Sequence, residues 1–425
     1  MEQASKEYQN YVSILYEELL PAMGCTEPAA VAYAAASARS VLGSIPDRCE
    51  LYVSGNIIKN VKSVVVPNTS GLKGLRAAAA AGIVAGRAEE KMNVIAGISS
   101  EEISAIQRYL NRQSIQIEHR DGGSVLYIEV VLHSQDHSSR VIIRDFHTNI
   151  VLVERDGSAI WEKESGQEED SNSDFALMSL EGIWDFTCSV MLEDVQSLLE
   201  QQITCNDAIS REGLEHDWGA GIGRLLLRSG DNVKLRAMAR AAAGSDARMD
   251  GCDRPVVIVG GSGNQGLTVT MPVLEYAEHL HSSRENLYRA LVLANLMAVY
   301  LKRNIGRLSA YCTAVTAGVG AGCGVAYLDG GNLEAVCHTV INALAILSGM
   351  FCDGAKASCA AKVANSVANG ILGYEMYKNG KDFNGGDGFL QSTADSTIDV
   401  VAELARLGMR ETDQRILNVM VSSPA

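Results

Sequence analysis

Residues 115–156 read IQIEHRDGGSVLYIEVVLHSQDHSSRVIIRDFHTNIVLVERD, and this stretch decides the fold class. It contains four short runs in which apolar and polar residues alternate, and glycine or polar residues separate the runs. Alternation with a period of two is typical of strands that bury one face. We therefore predict four short strands, at 115–119, 125–133, 140–146 and 150–156.

The sequence before these strands mixes strand and helix patterns. LYVSGNIIKNVKSVVVP (51–67) predicts a strand, a turn and a second strand. The alanine-rich segment 72–85 predicts a helix, and two serines precede EEISAIQRYLN (101–111), which is typical of a capped helix start. Residues 46–158 are therefore predicted to form a compact α+β domain.

Helical patterns dominate the rest of the chain, apart from PVVIVGG (255–261), which predicts a buried strand that runs into a glycine-rich turn. The polar, acidic segment WEKESGQEEDSNSD (161–174) has almost nothing to bury and predicts a surface linker. We therefore predict an α+β fold with a large helical domain, made from residues 1–45 and 159–425. The smaller α+β domain of residues 46–158 is inserted into it.

The composition narrows the class of function. Of the 425 residues, 47 % are apolar and 20 % are charged, which is typical of a globular protein. The net charge of −15 repels phosphate groups, so neither nucleic acid nor an anionic membrane is an expected partner. The uncharged segment 308–328 is too rich in glycine and other small residues to predict a membrane span.

The cysteines point to a reducing compartment. The N-terminal residues lack the basic region of a signal peptide, so we expect a cytoplasmic protein. In such a protein the ten cysteines serve metal binding, catalysis or packing more often than disulfides.

Four cysteines lie close together in the sequence and have small neighbours: Cys312, Cys323, Cys352 and Cys359. Thiolates bind soft metals and iron–sulfur clusters, and small neighbours leave room for a cluster. Buried cysteines in an alanine- and glycine-rich core can equally well only pack. No CxxC pair is present, so the spacing alone leaves a metal site and simple packing open.

Cys25 lies in MGCTEPAAVAY, where Thr26 is a plausible helix N-cap. A thiol next to a helix N-terminus is near the positive end of the helix dipole, which favours the thiolate. Such a thiolate can act as a base or a nucleophile. The alternative is an ordinary turn cysteine.

The turn GGSGNQG (260–266) matches the GxGxxG pattern of dinucleotide-binding folds. The chain continues with a helical pattern at 287–301 where that fold needs a second parallel strand, so we reject this interpretation. A glycine-rich turn before a helix still offers free N–H groups to an anion such as an amino-acid carboxylate. A tight turn without a ligand remains the alternative.

A different interpretation concerns pyridoxal phosphate. VKLRAMARAAAG (233–244) and SGNQG (262–266) resemble two segments of pyridoxal-phosphate serine and threonine dehydratases, in which Lys234 would form the Schiff base. That fold needs a run of βα units after the turn, whereas this chain has a helical run. The cysteines would also have no role.

Five motifs together resemble one family. GCTEPAA (24–30), SGNIIKN (54–60), GGSGNQG (260–266), AYCTAV (310–315) and FCDGAKASC (351–359) are similar to those of the L-cysteine desulfidases, which are related to the α-chain of iron–sulfur L-serine dehydratases. The similarity extends over nearly the whole chain, in the same order.

The resemblance implies a reaction and a cofactor. Cys312, Cys352 and Cys359 would hold a [4Fe–4S] cluster with one open iron, Cys25 would be the base, and Cys323 would not be a ligand. L-cysteine and water would give sulfide, ammonia and pyruvate, and L-serine is the alternative substrate. The residues expected to bind the substrate are Asn56, Lys59, Ser262, Gly263, Asn264, Gln265 and Gly266.

Two further hypotheses belong to other classes of protein. One is an electron-transfer protein whose cluster has Cys323 as fourth ligand, and the other is a non-catalytic amino-acid-binding protein without a cluster. A homo-oligomer is compatible with every one of these interpretations.

Overall fold

A computed structural model describes residues 1–112, 114–120, 123–163, 173–306 and 309–422. Most of the described residues are helical, and the strands form one large and one small sheet, so the predicted α+β class is confirmed. The strands are β1 (Pro21–Met23), β2 (Arg48–Val53), β3 (Ser114–His119), β4 (Tyr127–Ser134), β5 (His137–Arg144), β6 (Ile150–Arg155), β7 (Ser158–Glu162) and β8 (Pro255–Val257).

Helices precede, separate and follow these strands along the chain. Those of the first third are α1 (Lys6–Glu18), α2 (Thr26–Leu42), α3 (Gly55–Val61), α4 (Gly74–Ala85) and α5 (Ser100–Arg112). Those of the remainder are α6 (Leu180–Ser189), α7 (Gln196–Glu215), α8 (Ile222–Ser229), α9 (Val233–Met249), α10 (Gly263–His279), α11 (Arg284–Lys302), α12 (Ala314–Leu328), α13 (Leu333–Ile346), α14 (Cys359–Lys378), α15 (Ala394–Glu403) and α16 (Arg410–Ser422).

The large sheet has the strand order β3-β2-β4-β5-β6-β7. Strands β2 and β3 are parallel, and the other neighbours are antiparallel. The four predicted strands correspond to β3, β4, β5 and β6. Strand β7 was not predicted, and its last two residues fall in the predicted linker 161–174, of which residues 164–172 lie outside the described part of the chain.

One strand prediction was wrong. The segment 51–67 was expected to form a strand, a turn and a second strand, but after β2 the chain forms helix α3. Ile57 and Val61, four residues apart, are both fully buried on one face of this helix. Apolar residues at this spacing fit a helix as well as a strand in so short a segment, and the packing of both side chains into the core favours the helix.

Two hydrophobic cores hold the molecule together. One contains α1 and most of the helices from α6 to α15, and the other lies under the large sheet. Helix α2, which the sequence assigned to the helical domain, contributes most of its alanines to the core of the sheet. The periodicity of an alanine-rich helix does not reveal which partner it packs against, because small side chains suit a sheet and a helix equally. The domain bounds themselves stay a prediction.

Helices α12 and α14 pack with their backbones in contact. A Cβ at Gly322 would clash with the backbone of Gly370, and a Cβ at Gly370 would clash with the carbonyl of Gly318. This close approach accounts for Gly318 and Gly322, whereas Gly320 and Gly324 lie against Ala294 and Ala290 of α11. Within the described ranges, every helix is too short or too polar to cross a membrane.

A small sheet brings distant parts of the chain together. Strand β1 pairs antiparallel with β8, and the pair Pro21↔Val257 fixes their register. Gly24 follows β1 with φ of +59° and turns the chain into α2, and a Cβ there would clash with Pro67. The pairing therefore places the start of α2 beside the segment that links α9 to α10.

Candidate functional site

The four cysteines to which the family resemblance gave a role line one cavity: Cys25, Cys312, Cys352 and Cys359. Its volume is about 120 Å³, which suits a ligand the size of an amino acid. Both cores contribute to its wall. Its lining residues include Cys25, Thr26, Glu27, Asn60, His147, Arg248, Ser262, Asn264, Tyr311, Cys312, Cys352 and Cys359.

A short antiparallel bridge brings Cys312 and Cys352 together. The Cys352 N–H donates to the Ala310 carbonyl at 2.6 Å, and the Cys312 N–H donates to the Met350 carbonyl at 2.8 Å. The hydrogen bond between the two thiols raises the pKa of Cys312 and lowers the pKa of Cys352. Lys59 lowers the pKa of Cys352 further, so this thiol is the one that ionises.

Cys359 is the first residue of α14 and lies opposite this pair. Its Sγ is 3.6 Å from the Gly354 carbonyl oxygen, and burial raises its pKa. Together with Cys25 it packs in a small cluster that includes Met249. The thiols of Cys312, Cys352 and Cys359 therefore line the cavity, and they come from two segments of the chain.

These three thiols fit an iron–sulfur cluster by their donor chemistry, because such clusters are held by cysteine thiolates. In the described parts of the chain, no three His, Cys, Asp or Glu side chains lie close enough together to bind a single metal ion. Each thiolate ligand of a [4Fe–4S] cluster binds a different iron, so a wider spacing of ligands is compatible with a cluster. Cys323 does not line the cavity and is fully buried inside α12.

Cys25 is the N-cap residue of α2, one position before the N-cap that the sequence predicted. Its S–H donates to Glu27 Oε2 at 3.8 Å. Burial raises the pKa of Cys25 to about 12, while the Arg248 guanidinium acts in the opposite direction. The helix dipole that the sequence offered as a cause of ionisation is therefore outweighed by burial, and Cys25 is a neutral thiol here.

Glu27 is a buried carboxylate with several donors around it. Asn60 Nδ2 donates to Oε1 at 3.0 Å, Thr26 Oγ1 donates to Oε2 at 3.0 Å, and His147 Nε2 is 4.0 Å from Oε1. Burial opposes ionisation, but His147 and a backbone N–H lower the pKa of Glu27 to about 2. Glu27 is therefore ionised beside Cys25.

The glycine-rich turn forms another part of the cavity wall. Ser262 caps α10, its Oγ accepting from the Gln265 N–H at 3.5 Å, and Ser262 and Asn264 line the cavity. A Cβ at Gly266 would clash with the Val257 carbonyl, so this glycine lets α10 start directly against β8. Gly263, Gln265 and Gly266 do not line the cavity, and Gln265 is buried.

Asn56 and Lys59, the two substrate-binding residues expected from the α+β part, do not line the cavity. Lys59 Nζ contacts Asp413 Oδ1 at 2.5 Å and donates to the Ser309 carbonyl at 3.1 Å, so its charge is paired with α16. The neighbouring Asn60 lines the cavity instead. The role of Asn56 and Lys59 in substrate binding stays a prediction.

Lys234 also lies away from the cavity. Its Nζ is 2.6 Å from Glu375 Oε2, in a partly exposed ion pair between α9 and α14. The pyridoxal phosphate interpretation therefore gains no support from the position of this lysine.

Sequence reasoning missed Arg248, His147, Asn60 and Tyr311. Arg248 and His147 lie outside the five motifs, and Arg248 follows an alanine-rich helical stretch; Asn60 ends the motif SGNIIKN but was not singled out within it. Tyr311 is an exception in part, because it precedes a predicted ligand, and its buried hydroxyl lacks a hydrogen-bond partner among the described residues.

The fold and the site together define an α+β protein with a thiol-lined cavity between a helical core and a sheet. A family model described as serine dehydratase alpha chain matches residues 74–418. The chain belongs to the serine dehydratase alpha chain family, which confirms the relationship that the motifs predicted and supports a lyase.

Full-length relatives are similar to this chain. A UPF0597 protein of Desulfitobacterium hafniense is 50 % identical over 99 % of this chain and 99 % of its own length. UPF0597 proteins of Lachnoclostridium phytofermentans and Finegoldia magna are 46 % and 45 % identical, over 98 % and 97 % of this chain and 100 % and 99 % of their own lengths. The similarity therefore includes the segment of Cys25, which lies outside the range of the family model.

Proposed function

We propose that this protein is a β-eliminating lyase that converts L-cysteine and water into sulfide, ammonia and pyruvate. The observation that carries the proposal is the convergence of Cys25, Cys312, Cys352, Cys359 and the N-terminus of α10 on one cavity. The proposed cofactor is a [4Fe–4S] cluster held by Cys312, Cys352 and Cys359. When bound, its open iron would supply a Lewis acid for the side-chain sulfur of the substrate.

The residues of the chain would position the substrate and move a proton. Ser262 and Asn264 would orient it from the start of α10, so that its Cα–H faces Cys25 at the start of α2. For Cys25 Sγ to take the Cα proton, its own proton would first pass to Glu27 Oε2, to which it is hydrogen-bonded, and the Arg248 guanidinium would favour the resulting thiolate. The C–S bond would break with both electrons on sulfur as the Cα–Cβ double bond forms. The released aminoacrylate and water give pyruvate and ammonia.

L-serine is the second candidate substrate, and the description of the matching family favours it. The same proton transfer would then expel the side-chain oxygen as water. Sulfur is the softer ligand for iron, which favours L-cysteine.

The test is cofactor content together with product release, both without oxygen. Purified protein should contain about four irons and four labile sulfides per chain. Cys312→Ala, Cys352→Ala and Cys359→Ala should each lose iron, whereas Cys323→Ala, which removes a thiol away from the cavity, should keep it. L-cysteine should yield equal amounts of sulfide, ammonia and pyruvate.

Other results would point to other proteins. Stoichiometric pyridoxal phosphate without iron would contradict the cluster, and loss of iron in Cys323→Ala would favour a closed electron-transfer cluster. A higher kcat/KM for L-serine than for L-cysteine would make the protein a serine dehydratase. Amino-acid binding without products would leave a binding protein.

A further inference from the structure

Arg248 is a buried cation that makes no direct ion pair in the part of the chain that the structure describes, although it is near enough to Glu27 to lower the pKa of that carboxylate. Its exposed fraction is 3 %, and no carboxylate oxygen there lies within 4.0 Å of its guanidinium. Nη1 donates to Asn264 Oδ1 at 3.3 Å, and the buried Nε has no hydrogen-bond partner among the described residues. A buried charge is normally paired by direct contact, and Arg248 has no such contact with a carboxylate among the described residues.

Arg240, on the same helix, has the ion pairs expected of an arginine with a structural role. It lies two turns before Arg248 on α9, and its guanidinium contacts the carboxylates of Asp207, Glu275 and Glu278 at 2.7–2.9 Å. Arg240 therefore has the direct carboxylate partners that Arg248 does not have. The contrast indicates that Arg248 is not held in place by a structural ion pair.

The guanidinium faces the cavity beside a second positive feature. A Cβ at Gly263 would clash with Arg248, so the guanidinium lies against the first residue of α10. The N–H groups of Gly263 and Asn264 make no hydrogen bond to any described residue, as is usual for the first turn of a helix. A buried guanidinium and a helix N-terminus together make a strong site for a carboxylate.

We propose that Arg248 binds the α-carboxylate of the substrate, with the N-terminus of α10 completing the site. The inference rests on the proposed function in taking the ligand to be an α-amino acid. It adds a specificity-determining residue: ligands of this cavity need an α-carboxylate, and amines without one are excluded. Holding the carboxylate on Arg248 also places the substrate's Cα beside Cys25, whose thiol is close enough to be influenced by the same guanidinium.

The test uses ligands that cannot react, and the cluster-containing protein kept without oxygen. L-alanine has the α-carboxylate but no leaving group, and ethylamine is the same molecule without the carboxylate. Calorimetry should show that the wild type binds L-alanine more tightly than ethylamine. Arg248→Ala should weaken L-alanine binding roughly 10- to 100-fold, as expected for hydrogen bonds between charged groups, without changing ethylamine binding.

Two variants and one additive control for structural damage. Arg236→Lys alters a paired arginine of the same helix and should bind L-alanine like the wild type. Arg248→Lys keeps the charge but loses the planar fork, so its affinity should be intermediate. Added guanidinium ion should restore L-alanine binding to Arg248→Ala. The midpoint of thermal unfolding of ligand-free Arg248→Ala should fall only slightly, because the variant loses a hydrogen bond to Asn264 but no direct ion pair.

Equal L-alanine affinity in Arg248→Ala and the wild type would overturn the inference, and so would a wild type that binds ethylamine as tightly as L-alanine. A lower melting temperature of Arg248→Ala with unchanged binding would make the arginine structural. The proposed reaction fails separately. If L-alanine binding depends on Arg248 but neither L-cysteine nor L-serine gives products, the carboxylate site stands and the lyase does not.

Discussion

Cys25 and Glu27 lie two residues apart and differ in charge, because the thiol is neutral and the carboxylate is ionised. Burial keeps Cys25 a thiol, with a pKa raised to about 12, whereas the donors around Glu27 keep it a carboxylate with a pKa of about 2. A hydrogen bond joins the two side chains. At the scale of single residues, the site therefore combines a proton that is hard to remove with a fixed negative charge.

Cys25→Ser tests the proposed base. Serine has nearly the same size, but its hydroxyl is far harder to ionise than a thiol, so turnover should fall by about 10²–10⁴-fold. Iron content and L-alanine binding should match the wild type, because Cys25 is not a proposed ligand. The decisive measurement is exchange of the substrate's Cα proton with deuterated water. Exchange at the wild-type rate would remove Cys25 from the mechanism, and loss of iron would make it a ligand.

Glu27→Gln tests the buried carboxylate through stability. Because the folded-state pKa is below the ordinary value of 4.5, ionised Glu27 stabilises the fold at higher pH. This contribution is about 3 kcal/mol, is fully present above about pH 4.5 and disappears as the pH falls through about 2. The difference in free energy of unfolding between the wild type and Glu27→Gln should therefore shrink from pH 7 to pH 3. A difference independent of pH would contradict it.

At the scale of secondary structure, the cavity is built from helix starts. Helices α2, α10 and α14 all begin at its wall, with Cys25, Ser262 and Cys359 at or beside their first residues. Positions near a helix start offer N–H groups that the helix itself does not use. The helices behind these starts must then pack tightly enough to hold them in place, which the glycines of α12 and α14 allow.

Gly370→Ala tests that packing. The added methyl group would meet the Gly318 carbonyl of α12, so the two helices must move apart. Overpacking of this kind typically costs about 1–3 kcal/mol, which urea unfolding can measure. Leu372→Ala is the control on the same helix, where the side chain is 39 % exposed, and it should cost much less. Equal losses in the two variants would contradict the close contact.

At the scale of the whole molecule, the C-terminal helix connects the two cores. Helix α16 returns to α3 of the sheet-containing part, where Asp413 pairs with the buried Lys59, and Leu417 occupies the space beside Gly55. Lys59 in turn lies near Cys352, whose pKa it lowers. Asp413, near the end of the chain, thus pairs with the lysine that lowers the pKa of Cys352.

Asp413→Asn tests this connection. Lys59 would stay buried without a counter-ion, and losing one partner of a buried pair typically costs about 3–5 kcal/mol. Asp413 is 27 % exposed, so we expect a smaller loss of about 1–3 kcal/mol, seen as a lower midpoint of thermal unfolding. Glu411→Gln, which alters an exposed pair on the same helix, should change the midpoint little. An unchanged midpoint in Asp413→Asn would show that the pair does not hold α16.

Local patterns in the sequence determined the strands β3–β6, the helix that follows Cys25 and the glycine turn before α10. Each depends on residues that are close along the chain, through alternation, helical spacing or capping. The family relationship also follows from short motifs. These features were predictable because their physical cause is local.

Only the tertiary structure decided which residues meet in the cavity. Glu27, Asn60 and His147 come from three separate segments, and Arg248 arrives through the pairing of β1 with β8. The same packing turned Lys59 towards Asp413 and left Asn60 at the cavity wall. Contacts between residues far apart in the chain depend on which faces of the elements pack together, and the periodicity of a single element does not contain that information.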